Sequence, residues 1–298
     1  MAELLHHVMR AGPDAPVLLL IHPLGANLHF WEECIPIWHG RNASLACDLR
    51  SSGRSPRARE PVTVARHVAD LEALRQALGL DAVVPVGCAI GAMVAAAYAA
   101  RHPERVSALV LSNPAPRTSE QAAAMLRQRA ERVRRGGMSA IVPGAVDRAF
   151  VEQPRDERFQ RYLARFAAQD AEAYALSILG LLEADVTADL QAIRCPTLVV
   201  AGGNDVLLPP EQAQEVNAVL AHAELVLLED AAHFAPYQTP EQFARLVLDF
   251  VSRPRPHAND SGDRRSCRYA DPDNPLSDQD ARGEHDLLLR AVMTCSPG

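Results

Sequence analysis

Apolar residues along this chain fall into two alternating patterns. One is the short run that is apolar at nearly every position, found at 17–21, 43–47, 82–86, 106–112, 197–201 and 224–228. Runs of this kind, rather than runs apolar at every second position, predict strands covered on both faces, as in a parallel sheet. The other is the amphipathic repeat. Val64, Val68, Leu71, Leu74 and Leu78 recur at helical spacing and predict a helix over 64–78, stopped by Gly79. Strands and helices in alternation predict an α/β architecture built on a mainly parallel sheet. Pro85 conflicts with this pattern, because a proline inside a central strand removes a ladder hydrogen bond, so a bulge or an early strand end is expected there.

The alternation breaks at about 116–190, where only helical patterns occur. Thr118 and Ser119 can cap a helix running to Arg135, which Gly136-Gly137 ends, and further helices are expected near 140–151, 155–168 and 171–184. An all-helical stretch between strands reads as a cap over the carboxyl ends of the sheet, where open α/β folds bind ligands. The expected organisation is therefore a core of 1–115 and 191–252, a helical cap of 116–190, and a tail of 253–298. The tail is rich in Pro, Asp, Ser and Arg with little to bury, and is expected to be disordered. Arginines crowd the cap: Arg127, Arg129, Arg132, Arg134, Arg135, Arg148, Arg155, Arg158, Arg161 and Arg165. They can all lie on solvated helix faces, or one or two can face the pocket and bind a substrate carboxylate.

Composition narrows the function. A net charge of −7 gives no electrostatic footprint for nucleic acid or an anionic membrane, and no apolar run reaches transmembrane length. The six cysteines are scattered without CxxC spacing, which fits a cytoplasmic protein with reduced thiols and neither a disulfide framework nor a zinc site. No lysine occurs anywhere, so Schiff-base and P-loop lysine chemistry are excluded. No cofactor or metal is implied, and the expected partner is a small-molecule substrate of anionic character.

Three signals carry the chemistry. Residues 83–93, VVPVGCAIGAM, read as a strand, a sharp turn and a small-residue helix, the layout of a G-x-S-x-G nucleophile elbow with Ala89 where the hydroxyl belongs. Asp205 follows the strand at 197–201, and His233 follows the strand at 224–228. Either alone could be a turn residue or a satisfied surface group. Their order, elbow then acid then histidine, is that of one serine-hydrolase fold and not of the others. Leu20-Ile21-His22-Pro23-Leu24-Gly25 lies directly after the first strong strand, where that fold places its oxyanion loop. The N–H groups of Leu24 and Ile90 would complete the hole, and neither depends on the side chain at 89. Cys88, on the strand side of the turn, is read as core packing.

These features identify the chain as a member of the α/β-hydrolase superfamily, and within it the chain most resembles the 3-oxoadipate enol-lactonases. The likeness is carried by HPLGANLHFW (22–31), DLRSSGRS (48–55), the elbow, RHPERV (101–106), PTLVVAGGNDVLLPP (196–210) and AAHFAPYQTPEQF (231–243), and covers about residues 5–252. It implies a catalytic Asp205–His233 pair and a cap that sets the substrate. Two departures stand out: Ala89 at the nucleophile position, and Ser51-Ser52 where Gly-His is usual.

Without the serine, ordinary covalent ester hydrolysis is not credible, since losing it costs about a million-fold in kcat in subtilisin. Four readings follow. His233 can act as general base on a water that attacks an activated ester or enol-lactone, such as a carboxylate-bearing intermediate of aromatic catabolism. The same pair and hole can serve a lyase, decarboxylase or isomerase, as the resemblance allows. The chain can be a non-catalytic ligand binder, or Ala89 can be an engineered change.

Overall fold

The computed structural model describes residues 3–12 and 16–253; the expectation for the tail, Arg253 apart, lies outside them. Seven strands form one sheet: β1 (His7–Arg10), β2 (Val17–Ile21), β3 (Ser44–Cys47), β4 (Val83–Cys88), β5 (Leu109–Ser112), β6 (Thr197–Gly202) and β7 (Ala223–Leu228). Their order is β1-β3-β2-β4-β5-β6-β7, parallel except for the β1–β3 pair. The sheet is thus α/β and mainly parallel, as the nearly continuous apolar runs predict. β1 has no such run, being half-exposed with His7 and Arg10 at its ends, and the pattern does not reveal it.

The helices are α1 (Ile35–Trp38), α2 (Val64–Ala77), α3 (Ile90–Arg101), α4 (Glu120–Gly136), α5 (Gly144–Ala149), α6 (Glu157–Ala167), α7 (Ala171–Leu179), α8 (Thr187–Ala192), α9 (Pro210–Val219), α10 (Ala235–Gln238) and α11 (Pro240–Ser252). Thr63 caps α2 by accepting from the Arg66 N–H, and Ser119 caps α4 by accepting from Ala122. Between β5 and β6 the regular elements are helices, apart from an isolated bridge between Arg117 and Asp185. Two apolar cores flank the sheet: Leu18, Leu20, Val84 and Val86 point to one face, Leu19, Ile21 and Leu45 to the other.

Pro85 sits inside β4 opposite Leu19, and the strand runs on to Cys88, so it does not end early. The disturbance falls on the other neighbour. Val83 bridges Val106 while Val86 pairs with Val110, so a three-residue step along β4 meets a four-residue step beside it. The Val83 carbonyl accepts from the Ser107 N–H (3.3 Å), so position 85 faces that same neighbour. The extra residue lies where the proline has no N–H to offer.

Two imidazoles are buried beside the loops after β2 and β3. His22 Nδ1 lies 2.8 Å from the Pro23 carbonyl, and its Nε2 accepts from the Leu49 N–H at 2.9 Å, which places the proton on Nδ1 of a neutral ring. His67 is 4% exposed; burial outweighs the nearby Asp70 charge and pushes its pKa down to about 4. As pH falls, the unfolded chain takes up this proton near 6.5 and the folded chain does so only near 4. Stability contributed above pH 6.5 is therefore lost across that window, by about 3 kcal/mol in full. Urea midpoints should fall from pH 6.5 to 4, and His67→Phe should flatten part of that slope, the rest coming from His22, whose pKa burial also lowers.

Candidate active site

Each parallel strand from β2 to β7, β3 apart, delivers a residue of interest just past its carboxyl end: Leu24 after β2, Ala89 after β4, Asn113 after β5, Asp205 after β6 and His233 after β7. Burying the apolar runs fixes the strands, and the strands fix the loops.

The turn at Ala89 is dictated by its glycines. A Cβ on Gly87 would stand 2.1 Å from the Gly91 carbonyl oxygen, and one on Gly91 would stand 2.2 Å from that of Ile21. Between them Ala89 takes φ 52° and ψ −114°, a region that costs a residue with a Cβ roughly 1–3 kcal/mol. Its N–H donates to the Ser112 carbonyl at 2.9 Å, which ties the turn to β5. Ile90 opens α3, so its N–H is one of the helix's unpaired N-terminal donors. Leu24 and Ile90 border the same cavity as Ala89 and His233.

His233 and Asp205 meet. The imidazole Nδ1 lies 3.0 Å from Asp205 Oδ2 and 3.2 Å from Oδ1. Asp205 is 3% exposed, and its remaining lone pairs are engaged: Oδ1 accepts from the N–H groups of Leu207 and Leu208, both at 2.9 Å, and Oδ2 from Asn113 Nδ2 at 3.0 Å. Burial alone would raise its pKa, but the His233 charge, the His233 hydrogen bond and the two backbone donors outweigh it and hold the carboxyl below its ordinary value. An ionised Asp205 selects the tautomer with hydrogen on Nδ1 and leaves Nε2 as the basic nitrogen. The His233 side chain is 12% exposed and borders the cavity.

Two residues of this site escape the sequence patterns. Asn113, at φ 47°, bridges Asp205 and the Ala232 carbonyl (2.9 Å); an Asn before a proline at a strand end is its only signal. Gln238 is buried, and its Oε1 accepts from Ala232 at 2.9 Å and Phe234 at 3.0 Å, the amides on either side of His233. Its Nε2 donates to the Ala149 carbonyl of α5 at 2.8 Å, so one amide clamps the histidine loop to the helical segment. Gln238→Leu leaves two N–H groups and a carbonyl without partners, each at about 1–3 kcal/mol. Denaturant melts should show a loss of about 3 kcal/mol or more, and Gln238→Glu, which keeps the acceptor, should recover part of it.

Cys88 is fully buried and packs in the core, as its place on the strand predicts. Burial pushes its pKa well above the ordinary thiol value, so a thiolate is disfavoured there. Ser51, the first residue of the Ser51-Ser52 departure, takes φ 67°, a conformation that suits the glycine usual there, and its hydroxyl accepts from the Ala58 N–H at 2.9 Å.

The cavity holds about 460 Å3. Aromatic rings of Tyr162, Phe166, Tyr174 and Phe234 form one wall, α4 another. Most arginines of the helical segment are turned elsewhere. Arg158 and Arg165 reach Glu33 and Glu32 of the loop after β2 (2.8 and 2.7 Å), where Arg161 joins them; Arg134 pairs with Glu172, Arg155 with Asp147 and Arg135 with Glu131. Arg129 and Arg148 border the cavity, as does Arg117 outside the group singled out by sequence. Among the described residues no helix is long and apolar enough to cross a membrane, and no cluster of three or more His, Cys, Asp or Glu could hold a metal ion.

A parallel sheet with a strained turn after its central strand, and an acid–histidine pair on the loops after the last two strands, defines a hydrolase scaffold. The chain belongs to the α/β hydrolase fold family, whose model matches residues 16–240. It is 28% identical to 3-oxoadipate enol-lactonase 2 of Acinetobacter baylyi over 80% of this chain and 90% of that one. It is 30% identical to the provisionally named carbamate hydrolase RutD of a Caulobacter species (strain K31), over 83% and 96%. Among solved structures, the enol-lactonase of Burkholderia xenovorans LB400 superposes with a TM-score of 0.78 at 25% identity, covering 84% of this chain and 96% of that one. The likeness to enol-lactonase-type hydrolases read from the motifs is thereby confirmed, and hydrolase activity of a general kind is supported.

Proposed function

We propose that this chain hydrolyses a small, activated, carboxylate-bearing ester or enol-lactone by general-base activation of water. The observation that carries the reading is the Asp205–His233 contact of 3.0 Å beside Ala89 at the cavity wall. His233 Nε2 takes a proton from water as the water oxygen bonds to the carbonyl carbon. The carbonyl electron pair moves onto oxygen, where the Leu24 and Ile90 N–H groups stabilise it. Collapse of this intermediate breaks the bond to the leaving oxygen, which departs as a stabilised enolate and takes the proton back from His233. An enolate leaving group lowers the barrier enough for a mechanism without an acyl-enzyme. Carbamates stand as a second substrate class on the strength of the Caulobacter relative, since the same attack on a carbamate carbonyl needs the same groups. The test is turnover of enol-lactone and carbamate panels by the unmodified chain, with no acyl adduct by intact mass and with activity lost in His233→Ala. Carbon-bound deuterium or carbon dioxide release without hydrolysis would replace this reading with a lyase or isomerase.

A further inference from the structure

The cavity wall is charged in one sense only. Arg117, Arg129 and Arg148 border it, and no Asp or Glu does, in a chain whose net charge is −7. The three arginines differ. Arg117 is neutralised by Glu215 at 3.2 Å, and Arg148 is exposed to solvent. Arg129 is half-buried and forms no ion pair with a described residue. It shares the cavity-facing stripe of α4 with Ala122, Met125 and Leu126, at the three- and four-residue spacing of one helix face. It stands beside the buried Tyr174 phenol, whose burial-raised pKa its charge partly offsets. A guanidinium held partly out of water, with a neutral phenol as its partner and no counter-ion, gains when an anion joins it.

We infer that Arg129 is the anchor for a substrate carboxylate. The guanidinium grips the carboxylate end, the rings of Tyr162, Phe166 and Tyr174 hold a short apolar body, and the far end presents its carbonyl between Ala89 and His233. This deepens the proposed function, since it rests on the same cavity being the substrate site. It selects short acyl compounds with a carboxylate a few carbons from the carbonyl and disfavours neutral esters of equal length.

The experiment compares mono-4-nitrophenyl glutarate with 4-nitrophenyl pentanoate, which differ in that terminal carboxylate. In the unmodified chain kcat/KM is expected to favour the glutarate ester. Arg129→Gln should cut kcat/KM for it by roughly 10- to 100-fold, as for loss of a hydrogen bond to a charged group, and at least tenfold less for the pentanoate ester. Arg129→Lys should recover part, and Arg127→Gln, exposed on the same helix, should change neither. Glutarate binding by calorimetry reads the anchor without turnover and should weaken at least tenfold in Arg129→Gln. Equal losses on both esters, or glutarate binding that is absent or indifferent to Arg129, would overturn the inference. Arg129-dependent glutarate binding with no ester turnover would uphold the anchor and overturn the hydrolysis.

Discussion

Ala89→Ser should convert this chain into a serine esterase. The elbow already holds the backbone that presents a nucleophile, with φ 52° maintained by Gly87, Gly91 and the hydrogen bond to Ser112. A hydroxyl added to the Ala89 Cβ needs no rearrangement of the fold, because only one small atom enters a cavity of about 460 Å3. Serine's full worth in an optimised site is about a million-fold in kcat. In a site not adjusted to it, a gain of at least about 100-fold on 4-nitrophenyl acetate is expected, with a burst phase and an acyl adduct by intact mass. A folded Ala89→Ser protein that shows neither would mean that His233 and the amide donors are not aligned on position 89.

His233→Ala should remove turnover by the unmodified chain. General-base catalysis contributes about 10²–10⁴, and the loss should fall on kcat with little change in KM, because the imidazole acts in the transition state. Asp205→Asn should cost much of the same. It removes the charge that fixes the tautomer and leaves an amide facing the Asn113 donor 3.0 Å away. The double variant should be hardly worse than His233→Ala alone, since the two residues act as one unit. Steady-state kinetics of the three proteins reads all of this. Retained turnover in His233→Ala would end the general-base mechanism.

The sheet is legible because burial on both faces writes itself as nearly continuous apolar runs, and all six parallel strands follow from it to within a few residues. Only 106–112 was drawn too long, because its first residues bulge around Pro85 rather than join the ladder. β1 left no such mark, for an edge strand with one wet face needs no apolar run. Ala89, Asp205 and His233 stand out in the sequence by their order along the chain and their places after strands, and the structure brings Asp205 against His233 and sets His233 and Ala89 on one cavity. Asn113 and Gln238 were not, because each works through partners distant in sequence: Asn113 touches Asp205, and Gln238 joins residue 149 to residues 232 and 234. Nor could periodicity say which arginine faces inward. That depends on which carboxylates, such as Glu32, Glu33 and Glu172, stand opposite the others.

Gly91 ties the electrostatics of the cavity to the packing of the sheet. With 2.2 Å between its missing Cβ and the Ile21 carbonyl, α3 rides against β2 closer than any other residue would allow. The positive end of that helix dipole is thereby held at the cavity wall. One extra methyl would lever the helix off the sheet and carry its field away, while every polar side chain of the site stayed in place. The field at this end of the cavity is thus set in part by the absence of a single methyl group.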